Sequence, residues 1–165
     1  MKDMSVSKAL KWLFIAAILQ MIPIANIVGF ILNLLALYGA GKLQKGYNTA
    51  FTLSIAGIVV SVLSAFVGAG VLGSIIDIVS SVVSLGVLYF VITTTNSLLK
   101  EGDLVVKGEK VWKLNLICTI AYVVLTLLAF IPVLAGLLAI IAFILVVIAT
   151  IIYLVYLFKS SKALA

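Results

Sequence analysis

Arginine and histidine are absent from this chain of 165 residues, cysteine occurs once, proline twice, and acidic side chains number five. Each scarcity removes a class of chemistry. Without histidine there is no imidazole to act as general base or metal ligand. A lone Cys118 forms no intramolecular disulfide and no cysteine-based zinc site. No glycine-rich loop precedes a helix in the pattern that cradles phosphate. The paired aspartates or serine–base pairs of intramembrane proteolysis are missing as well. An enzyme is therefore not expected, and neither is a cofactor or a bound metal. Charge itself is scarce, at 10% of residues, where a soluble domain carries about 25%.

What is present is apolar: 65% of the residues are hydrophobic, and the mean hydropathy is +1.42. So few polar side chains cannot cover a surface that faces water, so an integral membrane protein embedded in the lipid bilayer is expected. The length suits a single transmembrane domain over 1–165.

The eleven lysines are confined to short islands at residues 2–11, 42–45, 100–113 and 159–162. The stretches 12–41, 46–99 and 114–158 between them carry no charge except Asp77. A helix crosses the ~30 Å hydrocarbon core in about 20 residues, so the second and third stretches each hold two crossings. Both have a break near the middle, Val67-Gly68-Ala69-Gly70 through Gly73-Ser74 and Ile131-Pro132 through Ala135-Gly136. The shorter first stretch has one too, at Ile22-Pro23-Ile24-Ala25-Asn26. Proline removes a backbone donor and glycine frees the chain, which suits a tight turn. The pattern predicts an all-α transmembrane bundle of six helices in three antiparallel hairpins, at about 5–45, 48–100 and 110–160. The alternative is five spans, with the first stretch as one kinked, tilted helix. Three hairpins put every lysine on one face, which the positive-inside rule assigns to the cytoplasm together with both termini. Basicity supplied by lysine alone suggests an AT-rich prokaryotic genome, and hence a prokaryotic plasma membrane.

Trp12, Trp112, Tyr38, Tyr47, Tyr153, Tyr156 and Phe158 lie close to the lysines and are expected in the headgroup belt. Residues Lys100–Lys113 read as the longest cytoplasmic loop. Thr93 to Ser97 read as an interfacial helix end whose hydroxyls bond their own carbonyls. The segments Met21-Ile22-Pro23, Phe66-Val67-Gly68 and Phe130-Ile131-Pro132 superimpose as a faint threefold repeat. Its units share one orientation, unlike the inverted repeats of many transporters.

Asp77 is the single ionisable group inside an apolar stretch, and such acids are functional suspects. Ser74-Ile75-Ile76-Asp77 also fits a helix-capping pattern, with Asp77 in a first turn near the outer interface. Ser80 and Ser84 continue the Asp77 face at helical spacing, while Ser54, Gly57, Ser61, Ser64 and Gly68 form a small-residue run on the preceding helix. Two such faces predict a tight interhelical seam; the sharper alternative is a polar lining for a solute path. Asn33 is a candidate for an interhelical hydrogen bond, and Gln20, Asn115, Thr119, Thr126 and Thr150 are further polar positions in the apolar runs.

From Ile22-Pro23 through Gly29-Phe30-Ile31-Leu32 and Leu34-Leu35-Ala36-Leu37 to Lys42-Leu43 and Tyr47-Asn48-Thr49-Ala50-Phe51, the chain resembles small prokaryotic multi-pass membrane proteins of a domain-of-unknown-function family. The resemblance implies a membrane protein and supplies no catalytic residue. Two functional expectations follow. The first is a non-enzymatic accessory or scaffold acting through lateral contacts with itself or another membrane protein. The second is a small-solute or ion channel or transporter using Asp77 and the serine–glycine seam. A nucleic-acid partner is not expected, because the longest charged segment mixes both signs.

Overall fold

The computed structural model describes residues 4–67, 70–99, 102–128 and 132–165. Six α-helices follow one another: α1 Val6–Gln20, α2 Asn26–Gly41, α3 Lys45–Val67, α4 Val71–Leu99, α5 Asp103–Leu128 and α6 Pro132–Ala163. Local chemistry sets several of these ends. The Ser5 side chain caps α1, accepting a bond from the Lys8 amide at 3.2 Å. Asp103 places a negative charge in the first turn of α5. Pro132 opens α6, where a missing N–H costs nothing.

Close approaches show that each pair is an antiparallel hairpin. A Cβ added at Gly29 on α2 would stand 2.7 Å from the Ala16 carbonyl and 2.8 Å from the Gln20 amide on α1, and one at Gly39 would meet Met4. The first stretch is thus a hairpin, not one kinked helix. Gly46 faces Thr94, Gly57 faces Val83 and Gly86 faces Leu53, so α3 and α4 run in opposite directions. Gly108 at the start of α5 lies against Tyr156 near the end of α6.

Each helix packs on its neighbours in the chain, and α6 returns to α1 to close a ring. The closure is held by Ser7 on α1, whose hydroxyl donates to the Ser161 carbonyl on α6 at 2.6 Å. Every seam between hairpins carries an aromatic pair: Tyr38–Phe51 between α2 and α3 at 5.5 Å, Tyr89–Trp112 between α4 and α5 at 4.9 Å, and Phe14–Phe158 between α6 and α1 at 5.4 Å. Three hairpins of one orientation meet around a common axis. Among the described residues, every lysine lies at one end, on the first turns of α1 and α5, the last turns of α6, and at the α2–α3 connection.

Four helices, α3 to α6, are long and apolar enough to cross a membrane, so the chain is a multi-pass integral membrane protein. The helices of the first hairpin are shorter, at 15 and 16 residues, or about 22–24 Å at ~1.5 Å per residue. The six expected helices thus comprise four of spanning length and two shorter ones. The reason is arithmetic: the turn at residues 21–25 is taken from a stretch already too short for two crossings. That turn is apolar and outward, with Ile24 95% exposed.

The packed core sits at the lysine end. Leu10, Leu13, Ala36, Leu37, Tyr47, Ala50, Val91 and Leu157 form one buried cluster, and Ile92, Val111 and Tyr156 another. Two expectations are corrected here. Tyr47 and Tyr156 are core residues and not part of a headgroup belt, because their faces turn inward and their hydroxyls find partners there. Residues 103–113 are helix and not loop, since α5 starts at Asp103 just after Gly102, whose φ of +119° breaks the chain direction.

Candidate functional site

Away from the lysine end the ring holds open volume. Two adjoining open cavities, of about 600 Å³ and about 650 Å³, lie between the helices. All six helices contribute to their walls, and each does so through residues three or four apart. Helix α1 presents Leu13, Ala17 and Gln20; α2 presents Phe30 and Asn33; α3 presents Ser54, Gly57 and Ser61; and α4 presents Asp77, Ser80, Ser84 and Leu88. From α5 come Asn115, Cys118, Thr119 and Tyr122, and from α6 Val146, Thr150 and Tyr153. Gln20, Ser80, Ser84, Leu88 and Tyr153 border both cavities. Hydroxyls and amides stand among the leucines and valines that line this space, while Ile15, Ile55, Val82, Ile117 and Ile144 are exposed on the outside.

Toward the lysines the space is shut. Leu13, Val91 and Tyr153 floor the first cavity, and below them lies a layer of buried hydrogen bonds. The Tyr47 and Thr95 hydroxyls are 2.7 Å apart, and Thr95 also donates to the Val91 carbonyl at 2.7 Å. The Tyr156 hydroxyl donates to Asn96 Oδ1 at 2.7 Å, and Asn96 Nδ2 reaches the Val105 carbonyl at 3.3 Å. These contacts tie α3, α4, α5 and α6 together across the axis.

Four of the cavity hydroxyls are partnered within their own helix. Ser54 donates to Ala50, Ser81 to Asp77, Thr119 to Asn115 and Thr150 to Val146, at 2.8–2.9 Å. Such back-bonding lets a hydroxyl line an apolar space at small cost. Gln20 is different. Its Nε2 is buried with no hydrogen-bond partner among the described residues, although it stands where the two cavities meet.

Asp77 is not a capping residue. Gly70, with φ of +141°, fixes the start of α4 at Val71, and the Ser74 amide donates to the Gly70 carbonyl at 2.9 Å as an ordinary helical bond. Asp77 therefore belongs to the second turn, about 9 Å along the helix from its start. It is exposed on the second cavity, with Ser64 Oγ on α3 at 3.5 Å from its Oδ1.

The sequence-predicted seam residues Ser54, Gly57, Ser61, Ser80, Ser84 and Asn33 share the first cavity wall, Asp77 joins the second, and Ser64 reaches Asp77 from the side. Gly68 lies outside the described residues. Helices α3 and α4 do meet closely, but at Gly57–Val83 and Gly86–Leu53, leaving the serines turned to the interior. The seam reading leaves out the opposite wall of Gln20, Asn115, Thr119 and Thr150. Their helical spacing with Leu13 and Ala17, with Tyr122, and with Val146 and Tyr153 was the available signal. Among the described residues, no three His, Cys, Asp or Glu side chains gather.

The architecture defines a polytopic membrane protein with two open, largely apolar cavities between its helices that carry a minority of polar side chains. Comparison with protein-family models, curated proteins and solved structures finds no match, so the resemblance noted for residues 22–51 gains no support from them.

Proposed function

We propose that this chain is a non-enzymatic membrane protein that binds and moves a small solute through its central chamber. The observation that carries this reading is the convergence of polar faces from all six helices on shared open volume. Ligand sites typically enclose about 300–1,000 Å³, and each cavity falls in that range. Had the serine–glycine faces closed against each other, a packing role would suffice. They border space instead. The accessory reading rests on the exposed aliphatic and aromatic side chains of the outer surface, which contact with lipid already accounts for. With the lysine end assigned to the cytoplasm of a prokaryotic cell, the chamber opens away from the cytoplasm and is shut on the cytoplasmic side.

Purified protein in liposomes tests this by stopped-flow light scattering with small neutral solutes and by a lumenal dye for protons. Ser84 borders both cavities, so Ser84→Phe fills the chamber. The expected result is solute flux above that of empty vesicles which Ser84→Phe removes while the protein stays monodisperse. Flux equal to empty vesicles for every solute rejects the proposal.

A further inference from the structure

We infer that the chamber's ligand is a small organic cation with an apolar body, an amine whose ammonium pairs with Asp77. The inference rests on the solute-binding reading above and names its substrate class.

Charge comes first. Asp77 is the single charged side chain bordering either cavity. All described lysines stand at the far end, beyond the packed layer of Tyr47, Thr95 and Tyr156. The cavities therefore present one carboxylate and, among the described residues lining them, no basic side chain, which favours cations over anions. A divalent metal wants several carboxylate or carbonyl ligands, and one carboxylate is a poor match; a monovalent ammonium needs no more. Tyr122 borders the same cavity as Asp77, and an aromatic ring adds cation–π attraction for an ammonium.

The rest of the wall describes the rest of the ligand. Leu13, Leu53, Ile58, Val83, Leu88 and Val146 make much of the remaining wall aliphatic, which suits an apolar body over a sugar or amino acid. Gln20 Nε2 is buried there with no hydrogen-bond partner among the described residues. It offers one hydrogen bond to a polar atom held where the cavities meet. The low wall formed by α1 and α2, with its apolar turn at residues 21–25, gives an amphipathic molecule a way in from the bilayer.

The test uses the full chain in lipid nanodiscs and three adamantane probes of one shape: 1-adamantanamine as cation, 1-adamantanol as neutral form and 1-adamantanecarboxylate as anion. Binding is measured against empty nanodiscs. The amine is expected to bind at least tenfold more tightly than the alcohol, and the carboxylate more weakly still. Asp77→Asn should bring the amine level with the alcohol without changing alcohol binding, and Asp77→Glu should keep the preference. Equal binding of amine and alcohol to the native chain overturns the inference and leaves the solute-binding reading intact. Binding of none of the three overturns the inference, while flux of other solutes then decides the earlier proposal separately. Should Asp77→Asn misfold, Gln20→Leu serves instead: it is expected to weaken amine and alcohol alike, and unchanged binding of both overturns the role given to this chamber.

Discussion

At Thr95 two hydrogen bonds share one oxygen, which makes their values separable. Its proton goes to the Val91 carbonyl, so the Tyr47 hydroxyl is the donor in the contact between the two side chains. Tyr47→Phe removes a donor and leaves Thr95 still bonded to its own helix; a loss of about 1 kcal/mol or less is expected. Thr95→Val instead strands the Tyr47 hydroxyl in a fully buried place, and a loss of about 1–3 kcal/mol follows. Unfolding in mild detergent should rank Thr95→Val as clearly worse; equal losses would mean that the hydroxyl finds another partner. Gly29 makes a harder demand. Its absent side chain lets α2 approach the backbone of α1, with Ala16 O at 2.7 Å from where a Cβ would be. Backbone cannot swing aside as a side chain does, so Gly29→Ala should cost about 1–3 kcal/mol in the same assay. A neutral result would show that the first hairpin packs more loosely than its contacts indicate.

Among the elements, the contact that makes a ring out of a row of hairpins is α1 against α6. Its ends are 154 positions apart in the chain, yet Ser7 and Ser161 share a buried hydrogen bond. With Cys118 replaced by serine, the buried pair Ser7→Cys and Ser161→Cys should form a disulfide within one polypeptide under mild oxidation, giving faster gel migration. Cross-links formed only between molecules would open the ring. The hairpins themselves are legible in the sequence, because lysine islands and Pro or Gly breaks are local signals. The end of α3 at Val67 and the start of α6 at Pro132 fall beside their breaks, and the hydroxyls of Thr93, Thr95 and Ser97 bond their own helix as expected. Ring closure was not legible, since nothing local to Ser7 points to Ser161. The capping reading of Ser74 and Asp77 failed for a related reason. Two plausible helix starts compete there, and the positive φ of Gly70 decides between them. Half of the chamber was visible as a serine–glycine seam; the other half, around Gln20 and Thr150, becomes a wall only when α1, α5 and α6 are brought opposite α4.

For the molecule as a whole, unequal helix length and one-sided charge make a joint statement about its place in the bilayer. The lysine ends are level, as the Ser7–Ser161 and Gly46–Thr94 contacts require. Helices of 23–32 residues are then expected to reach the opposite interface and the first hairpin to end within the hydrocarbon, where its turn amides at Met21, Ile22 and Ala25 are bonded locally at 3.0–3.1 Å. Single cysteines in a Cys118→Ser background read this out with an impermeant maleimide on intact cells and inverted vesicles. Leu43→Cys, Lys107→Cys and Lys162→Cys, all exposed at the lysine end, should react only in inverted vesicles. Leu72→Cys at the far end should react only on intact cells. Ile24→Cys is the discriminating position: exposed on the protein yet facing acyl chains, it should resist the reagent from both sides and react only after detergent is added. Labelling of Ile24→Cys on intact cells would extend the first hairpin to the outer interface and remove the low wall. Labelling of Leu43→Cys and Lys107→Cys from opposite sides would break the hairpin arrangement, and with it the chamber that the six inward faces enclose.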